Sequence, residues 1–372
     1  MTSIPTASQG SEGTPARGTP AGDVPDVAAP PSEPGEPAPE QQPGSAPSET
    51  GQSVSALPDV ARPGFGSPGS AARRGPLALP RGLLTAMRPR QWVKNVLVLA
   101  APFAAGRLFE AVVIPNVLLA FVAFSLAASG IYLVNDTRDV AADRAHPTKR
   151  HRPIAAGIVP PTLAVTASVV LFAASLGLAA LASPNLVTVL AVYVVVQLAY
   201  CVWLKHEPVI DICIVSSGFL MRAIAGGAAA GVALSPWFLL TMAFGSLFMA
   251  SGKRYAEMRL AERTGAKIRR SLERYSASYL RFVWSLSATI VIMAYGLWAF
   301  NIGAVAGRPP STWAIVSIVP FVVAILRYAV DVDGGNGGEP EEIVLRDRVL
   351  QVLGGAWILI LVVAVYLPRL MA

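Results

Sequence analysis

Asn135, Asp136, Asp139 and Asp143 lie within nine residues of one another, directly after an apolar run from Asn116 to Leu133. On a helix turning 100° per residue they fall at about 0°, 100°, 40° and 80°. Three carboxylates and an amide would then share one stripe at the end of a membrane-crossing helix. Left bare, such a cluster repels itself, and acids at this depth are costly enough to read as a functional site. Oxygen ligands on one helical face suit a hard divalent cation, and Mg²⁺ typically takes one or two carboxylates together with substrate phosphates. The alternative is a solvated helix cap paired with Arg138 and Arg144. Those arginines fall near 300° and 180°, off the stripe. Asn135, Asp136, Asp139 and Asp143 are therefore expected to hold Mg²⁺, with Asp139 and Asp143 central to catalysis.

Lys149, Arg150 and Arg152 follow at once, between Pro147 and Pro153, which favour extended or turn geometry over continued helix. Cations beside a carboxylate cluster can clamp the phosphates that a bound metal also contacts. The competing reading is a positively charged cytoplasmic loop on lipid headgroups. His146 and His151 read as loop residues. A second polar stretch, Lys253-Arg254-Tyr255-Ala256-Glu257, ends another apolar run. On a helix Lys253, Glu257 and Arg254 fall at about 0°, 40° and 100°. This predicts a second half-site, with Lys253 and Glu257 acting in catalysis and Arg254 and Tyr255 on substrate. An ordinary surface Lys–Glu pair is its rival. Lys94, inside an apolar run beside Trp92, and Lys205, closing another after Tyr200, are further substrate-binding candidates. Asp211 and Arg222 share a face but stand about 16 Å apart along the axis. They cannot pair, so Arg222 needs another partner or a polar cavity. Gly227-Ala-Ala-Ala-Gly231 matches a close-packing pattern for helix contact.

The elements that must position these residues are membrane spans. From Arg81 onward the sequence is dominated by apolar runs, nine in all: 93–108, 116–134, 162–182, 185–204, 209–230, 236–251, 280–302, 312–330 and 350–368. Lys and Arg number six from Arg73 to Lys94, five from Asp136 to Pro160 and nine from 253 to 281, while the intervening joints have almost none. This bias places the N-terminus and the basic loops in the cytoplasm and the C-terminus outside. Residues 1–80 hold 16 of the 31 prolines and one aromatic, Phe65, so they are expected to be a disordered tail before a catalytic region at 81–372. That tail has no apolar core of a secretory signal. Cys201 and Cys213 have neither metal-ligand spacing nor the makings of a disulfide framework. The expected fold is an all-α polytopic membrane protein of nine helices in the plasma membrane, with the bilayer and phosphorylated substrates, not nucleic acid, as partners.

Asn135-Asp-x-x-Asp139-x-x-x-Asp143 after the second span, with a polar motif after the sixth, resembles the UbiA superfamily of intramembrane prenyltransferases over about residues 84–372. The resemblance implies two helical motifs facing each other across a cytoplasmic cavity, Mg²⁺ linking carboxylates to a diphosphate, and a lateral opening for a lipid chain. Members that ionise a prenyl diphosphate carry a second Asp-x-x-x-Asp, whereas this chain has Lys253-Arg-Tyr-Ala-Glu257. With Arg88-Pro-Arg-Gln-Trp-Val-Lys-Asn95 and His146-Pro-Thr-Lys-Arg150, that departure is similar to the actinobacterial decaprenyl-phosphate phosphoribosyltransferase branch. The branch implies 5-phosphoribosyl 1-diphosphate as donor, decaprenyl phosphate as acceptor, and a place in making cell-wall arabinan precursors. A conventional prenyltransferase acting on an aromatic, quinone or haem acceptor is the enzymatic alternative. A transporter is the rival from another class, although the charges cluster toward one membrane face and not the midplane. A monomer and a homo-oligomer are both compatible with the sequence.

Overall fold

Serine sets where several of these helices begin. The computed structural model describes residues 77–265, 272–302, 311–334 and 340–370, and the expected tail up to residue 76 lies outside the described residues. The α-helices are α1 (Ala78–Ala86), α2 (Ala100–Ala104), α3 (Val113–Arg138), α4 (Val140–Ala145), α5 (Pro161–Ala182), α6 (Pro184–Val202), α7 (Ile210–Ala230), α8 (Pro236–Thr264), α9 (Ala277–Asn301), α10 (Thr312–Val316), α11 (Ile318–Asp333), α12 (Pro340–Arg346) and α13 (Arg348–Leu370). A 3₁₀ segment, Pro89–Leu99, precedes α2, and short 3₁₀ turns occur at Lys149–His151 and Leu204–His206. The hydroxyls of Ser183, Ser235 and Ser276 accept from the amides of Leu186, Phe238 and Tyr279, each at 3.1 Å. Each satisfies a donor that a helix N-terminus leaves open. Pro184 and Pro236 occupy first-turn positions where no amide donor is missed.

Seven membrane-length apolar helices occur among the described residues, against the nine expected: α3, α5, α6, α7, α9, the run Thr312–Asp333 formed by α10 and α11, and α13. The other two expected runs take different forms. Residues 93–108 fall partly in the 3₁₀ segment and partly in the five-residue α2. Residues 236–251 are the apolar beginning of the 29-residue α8, which continues into a charged second half.

Two of the five apolar clusters among the described residues are the largest. One joins Val98, Val117, Phe124, Leu186, Leu190, Tyr193 and Ala225, from the 3₁₀ segment, α3, α6 and α7. The other joins Ile212, Phe248, Tyr255, Trp284, Tyr328 and Leu350, from α7, α8, α9, α11 and α13. Helix α7 contributes to both. The Gly227/Gly231 spacing plays no symmetric packing role. Gly231 ends α7 at φ 61°, a conformation that favours glycine, and the closest backbone approach is at Gly226. A Cβ there would sit 1.8 Å from the Val98 carbonyl oxygen.

Arg222 lies in the first core, buried near the middle of α7. Its Nε donates to Asn95 Oδ1 at 2.6 Å, Nη1 to the Gly218 carbonyl at 2.5 Å and Nη2 to the Tyr193 hydroxyl at 3.2 Å. The rings of Tyr193, Phe219 and Phe124 lie within 5.2–6.0 Å of its guanidinium carbon. Neutral acceptors and aromatic faces thus surround a charge whose distance from Asp211 the sequence already predicted to be too great for pairing.

Candidate active site

The acidic stripe forms across a helix break. α3 ends at Arg138, Asp139 adopts φ −89° and ψ 6°, and α4 begins at Val140. The amides of Asp139 and Asp143 still donate to the carbonyls four residues earlier, at 3.0 and 2.8 Å. The break therefore bends the stripe without dispersing it. Asp136 and Asp143 are buried, while Asn135 and Asp139 are half-buried.

Each of the three acids meets a cation from another part of the chain. Arg88 Nη2 reaches Asp136 Oδ1 at 2.6 Å. Arg152 Nη1 bridges Asp136 Oδ1 at 3.1 Å and Asp143 Oδ2 at 2.8 Å. Lys205 Nζ lies 2.5 Å from Asp139 Oδ1. The cations lie where they offset the repulsion among neighbouring carboxylates. Arg88 is placed by strain and by stacking. It has φ 55° and ψ 60°, unusual for a residue with a Cβ, and Pro89 disfavours its α conformation. Its guanidinium carbon lies 4.6 Å from the Tyr132 ring centroid. Of the three cations expected from the loop, Arg152 touches the acids. Arg150 is exposed, with Nε 3.3 Å from His151 Nε2, and Lys149 is half-buried on the 3₁₀ turn.

The second polar stretch diverges. Lys253, Arg254 and Glu257 are half-buried. Arg254 Nη2 pairs with buried Asp211 Oδ2 at 2.8 Å. The Tyr275 hydroxyl donates to Asp211 Oδ1 and accepts from the Val209 amide at 2.6 Å. Burial, and then the bond to Asp211, push the Tyr275 phenol well above its ordinary range, so it remains a neutral donor. Val209 has φ 69°, strained for a β-branched residue, and its bonded amide fixes the entry to α7.

Tyr255 departs from expectation. It is fully buried and stacks on Trp284 with ring centroids 5.5 Å apart. Its hydroxyl donates to Asp333 at 2.8 Å and accepts from Arg281 at 2.7 and 3.0 Å. One residue beyond Arg254, a helix turns about 100°, enough to take Tyr255 into the core. In this structure Tyr255 therefore packs in the second core, away from the acids that Arg88, Arg152 and Lys205 meet. Sequence reading also missed Arg88 as an acid partner, although an arginine before proline at a membrane entrance was a usable signal. Tyr275 carried no such signal.

No group of three His, Cys, Asp or Glu side chains forms a ready-made metal cage among the described residues. The donor chemistry nevertheless fits Mg²⁺. Half-buried Asp139 and Asn135 flank one helix break, Asp143 follows one turn later, and Mg²⁺ needs few protein ligands when phosphates complete its shell.

Membrane-length helices that gather acids and cations from separate elements define an intramembrane protein equipped for phosphorylated ligands. The chain belongs to the UbiA prenyltransferase family, whose profile matches residues 96–345. It is 62% identical over 287 residues to the decaprenyl-phosphate phosphoribosyltransferase of Mycobacterium tuberculosis, covering 76% of this chain and 94% of the relative. It is 61% identical over 300 residues to the protein of that name from Mycolicibacterium smegmatis, covering 78% and 94%. A UbiA homolog from Archaeoglobus fulgidus bound to GPP and Mg²⁺ has a similar fold, with TM-score 0.56 at 16% identity, covering 75% of this chain and 96% of that one.

Proposed function

We infer that this chain is a pentosyltransferase moving a 5-phosphoribosyl group from 5-phosphoribosyl 1-diphosphate to decaprenyl phosphate, with release of diphosphate. The observation that carries the reading is the 57–62% identity to decaprenyl-phosphate phosphoribosyltransferases over at least 90% of their length. The site's charge balance supports it. Arg88, Arg152, Lys205 and Arg254, each now paired with an acid, supply cations for a substrate set rich in phosphate.

Asp139, Asp143 and Asn135 would hold Mg²⁺, with Asp136 alongside, and bound metal supplies neutralisation of the leaving diphosphate. Arg152 and Lys205 then exchange carboxylate partners for phosphate oxygens and hold the anionic groups together against their repulsion. Lys149, Arg150, Lys253 and Arg254 would act from the surrounding loop and the second stretch, and Glu257 would help hold the metal. A phosphate oxygen of the lipid forms the new bond to C1 of the ribose as the C1–diphosphate bond breaks. The acceptor is already anionic at neutral pH, so no side chain needs to remove a proton from it.

The finer membrane arrangement is part of this reading. Eleven residues of 3₁₀ helix and five of α-helix from Pro89 to Ala104 extend for about 30 Å, the thickness of a hydrocarbon core. With the apolar beginning of α8, they complete nine crossings. The basic loops lie on the cytoplasmic side, the C-terminus lies outside, and the residues before α1 are dispensable for turnover.

The decisive assay supplies labelled 5-phosphoribosyl 1-diphosphate and Mg²⁺ to the purified full chain, with and without decaprenyl phosphate. A lipid-linked product that needs both substrates is expected. Turnover of a prenyl diphosphate with an aromatic acceptor, and none of the sugar donor, would replace this reading with the conventional one.

A further inference from the structure

The Pro89–Leu99 segment is a long run of 3₁₀ helix, a geometry usually limited to three or four residues. Its three-residue repeat divides the side chains into three faces, and burial follows that repeat. Arg90, Val93 and Val96 are exposed; Trp92 is half-buried, and Asn95 and Val98 are buried; Gln91, Lys94 and Leu97 are half-buried, in line with half-buried Arg88. The Trp92, Asn95 and Val98 face is clamped. Trp92 Nε1 donates to Ser129 Oγ at 3.0 Å, Asn95 Nδ2 donates to Ser125 Oγ at 2.9 Å, and the Val98 carbonyl lies over Gly226. Arg222 holds Asn95 from the other side. The clamp fixes the rotation of the segment and so fixes what its other two faces offer. One is outward, starting at exposed Arg90 and continuing as apolar Val93 and Val96, 61% and 49% exposed. The adjacent face begins with Arg88 on Asp136 and continues through Gln91 to Lys94, about 6 Å of rise per step.

We propose that Arg88, Gln91 and Lys94 form the subsite for the phosphate monoester of the polyprenyl acceptor. This rests on the phosphoribosyl-transfer reading above. Within the described residues this segment brings an outward apolar face and a column of cations and an amide onto one short helix. An anionic lipid presents the same pair of features, an apolar chain next to a phosphate. The chain would lie along Val93 and Val96 while Lys94 and Arg88 meet the headgroup. Because Arg88 also contacts Asp136, the acceptor phosphate would be delivered beside the acidic cluster.

The test is equilibrium binding to the purified full chain in nanodiscs, using a short-chain polyprenyl phosphate and, separately, ribose 5-phosphate. Lys94→Gln and Arg88→Gln should each weaken polyprenyl phosphate binding by about 10- to 100-fold, as expected for loss of a charge-assisted contact. Ribose 5-phosphate binding should stay within about threefold, a change near 0.6 kcal/mol. Lys94→Arg should recover most of the affinity. Val93→Gln, one residue away on the outward face, should leave ribose 5-phosphate binding unchanged and reduce lipid affinity less than Lys94→Gln. A selective loss of ribose 5-phosphate binding would assign the column to the donor and overturn the proposal, as would unchanged lipid binding in both charge variants. Wild-type turnover with the sugar donor, measured in parallel, separates these outcomes from failure of the functional reading itself.

Discussion

The two polar stretches are built in opposite ways. At Asn135–Asp143, acids clustered in sequence stay together in space and draw cations from residues 88, 152 and 205. At Lys253–Glu257, neighbours in sequence part company: Arg254 goes to Asp211, Tyr255 enters the core, and half-buried Glu257 makes no ion pair among the described residues. Like charges on one face need partners from outside, so the first stretch is a convergence point. Mixed charges and an aromatic on one helix can each satisfy a different neighbour, so the second stretch joins the site to its scaffold.

The largest test of that contrast is Asp139→Asn and Asp143→Asn. Each should reduce turnover by more than about 100-fold, at least the range seen when support for a metal ligand is removed. Each variant should elute as folded protein in size-exclusion chromatography. Near-wild-type turnover at saturating Mg²⁺ would remove that residue from the site. Next comes Arg152→Gln. It breaks contacts to two acids, and a donor affinity or rate lower by about 10- to 150-fold is expected in steady-state assays. Lys253→Ala and Arg254→Ala should fall in the same range but toward its lower end, because Arg254 meets one acid outside the stripe where Arg152 bridges two within it. Equal losses at Arg152 and Arg254 would show that the two stretches contribute alike. Glu257→Gln should raise the Mg²⁺ concentration needed for half-maximal rate while leaving the saturating rate close to wild type. The smallest kinetic effect is expected for Tyr255→Phe, which removes a hydroxyl shared by Asp333 and Arg281. It should cost about 1–2 kcal/mol of stability, read as a lower thermal midpoint, with turnover within about twofold. A large kinetic loss there would return Tyr255 to the substrate.

Much of the first stretch was legible because helical periodicity acts over a few residues and the acids are close in sequence. Their cation partners were not, since the Arg88 and Lys205 pairs close over 48 and 66 residues. No local spacing specifies which loop folds over which acid. Helical spacing was also enough to show that Arg222 must look away from Asp211. It could not show Asn95 as the acceptor, because it does not reveal that residues 89–99 adopt the 3₁₀ form. Contacts far along the chain, at Ser125, Ser129 and Gly226, accompany that choice. For Arg254 and Tyr255, adjacent positions on one helix, sequence gave no measure of which side faced the core. The expected crossings at 93–108 and 236–251 were blurred for a related reason: apolar composition does not report helix type or where a charged extension begins.

The setting of Arg222 also bears on how the chain is assembled as it is made. An isolated helix carrying arginine near its middle enters a bilayer at a cost of roughly 2.5–3.5 kcal/mol on insertion scales. Asn95, Ser125 and Tyr193 all precede α7 along the chain, so the groups that satisfy Arg222, directly or through Asn95, are synthesised before it. α7 can therefore leave the insertion machinery against a prepared surface of the 3₁₀ segment, α3 and α6. The hydrogen-bond partners of Arg222 among the described residues thus all lie before residue 230, while Ile212 at the other end of α7 belongs to the second core, which the later helices complete.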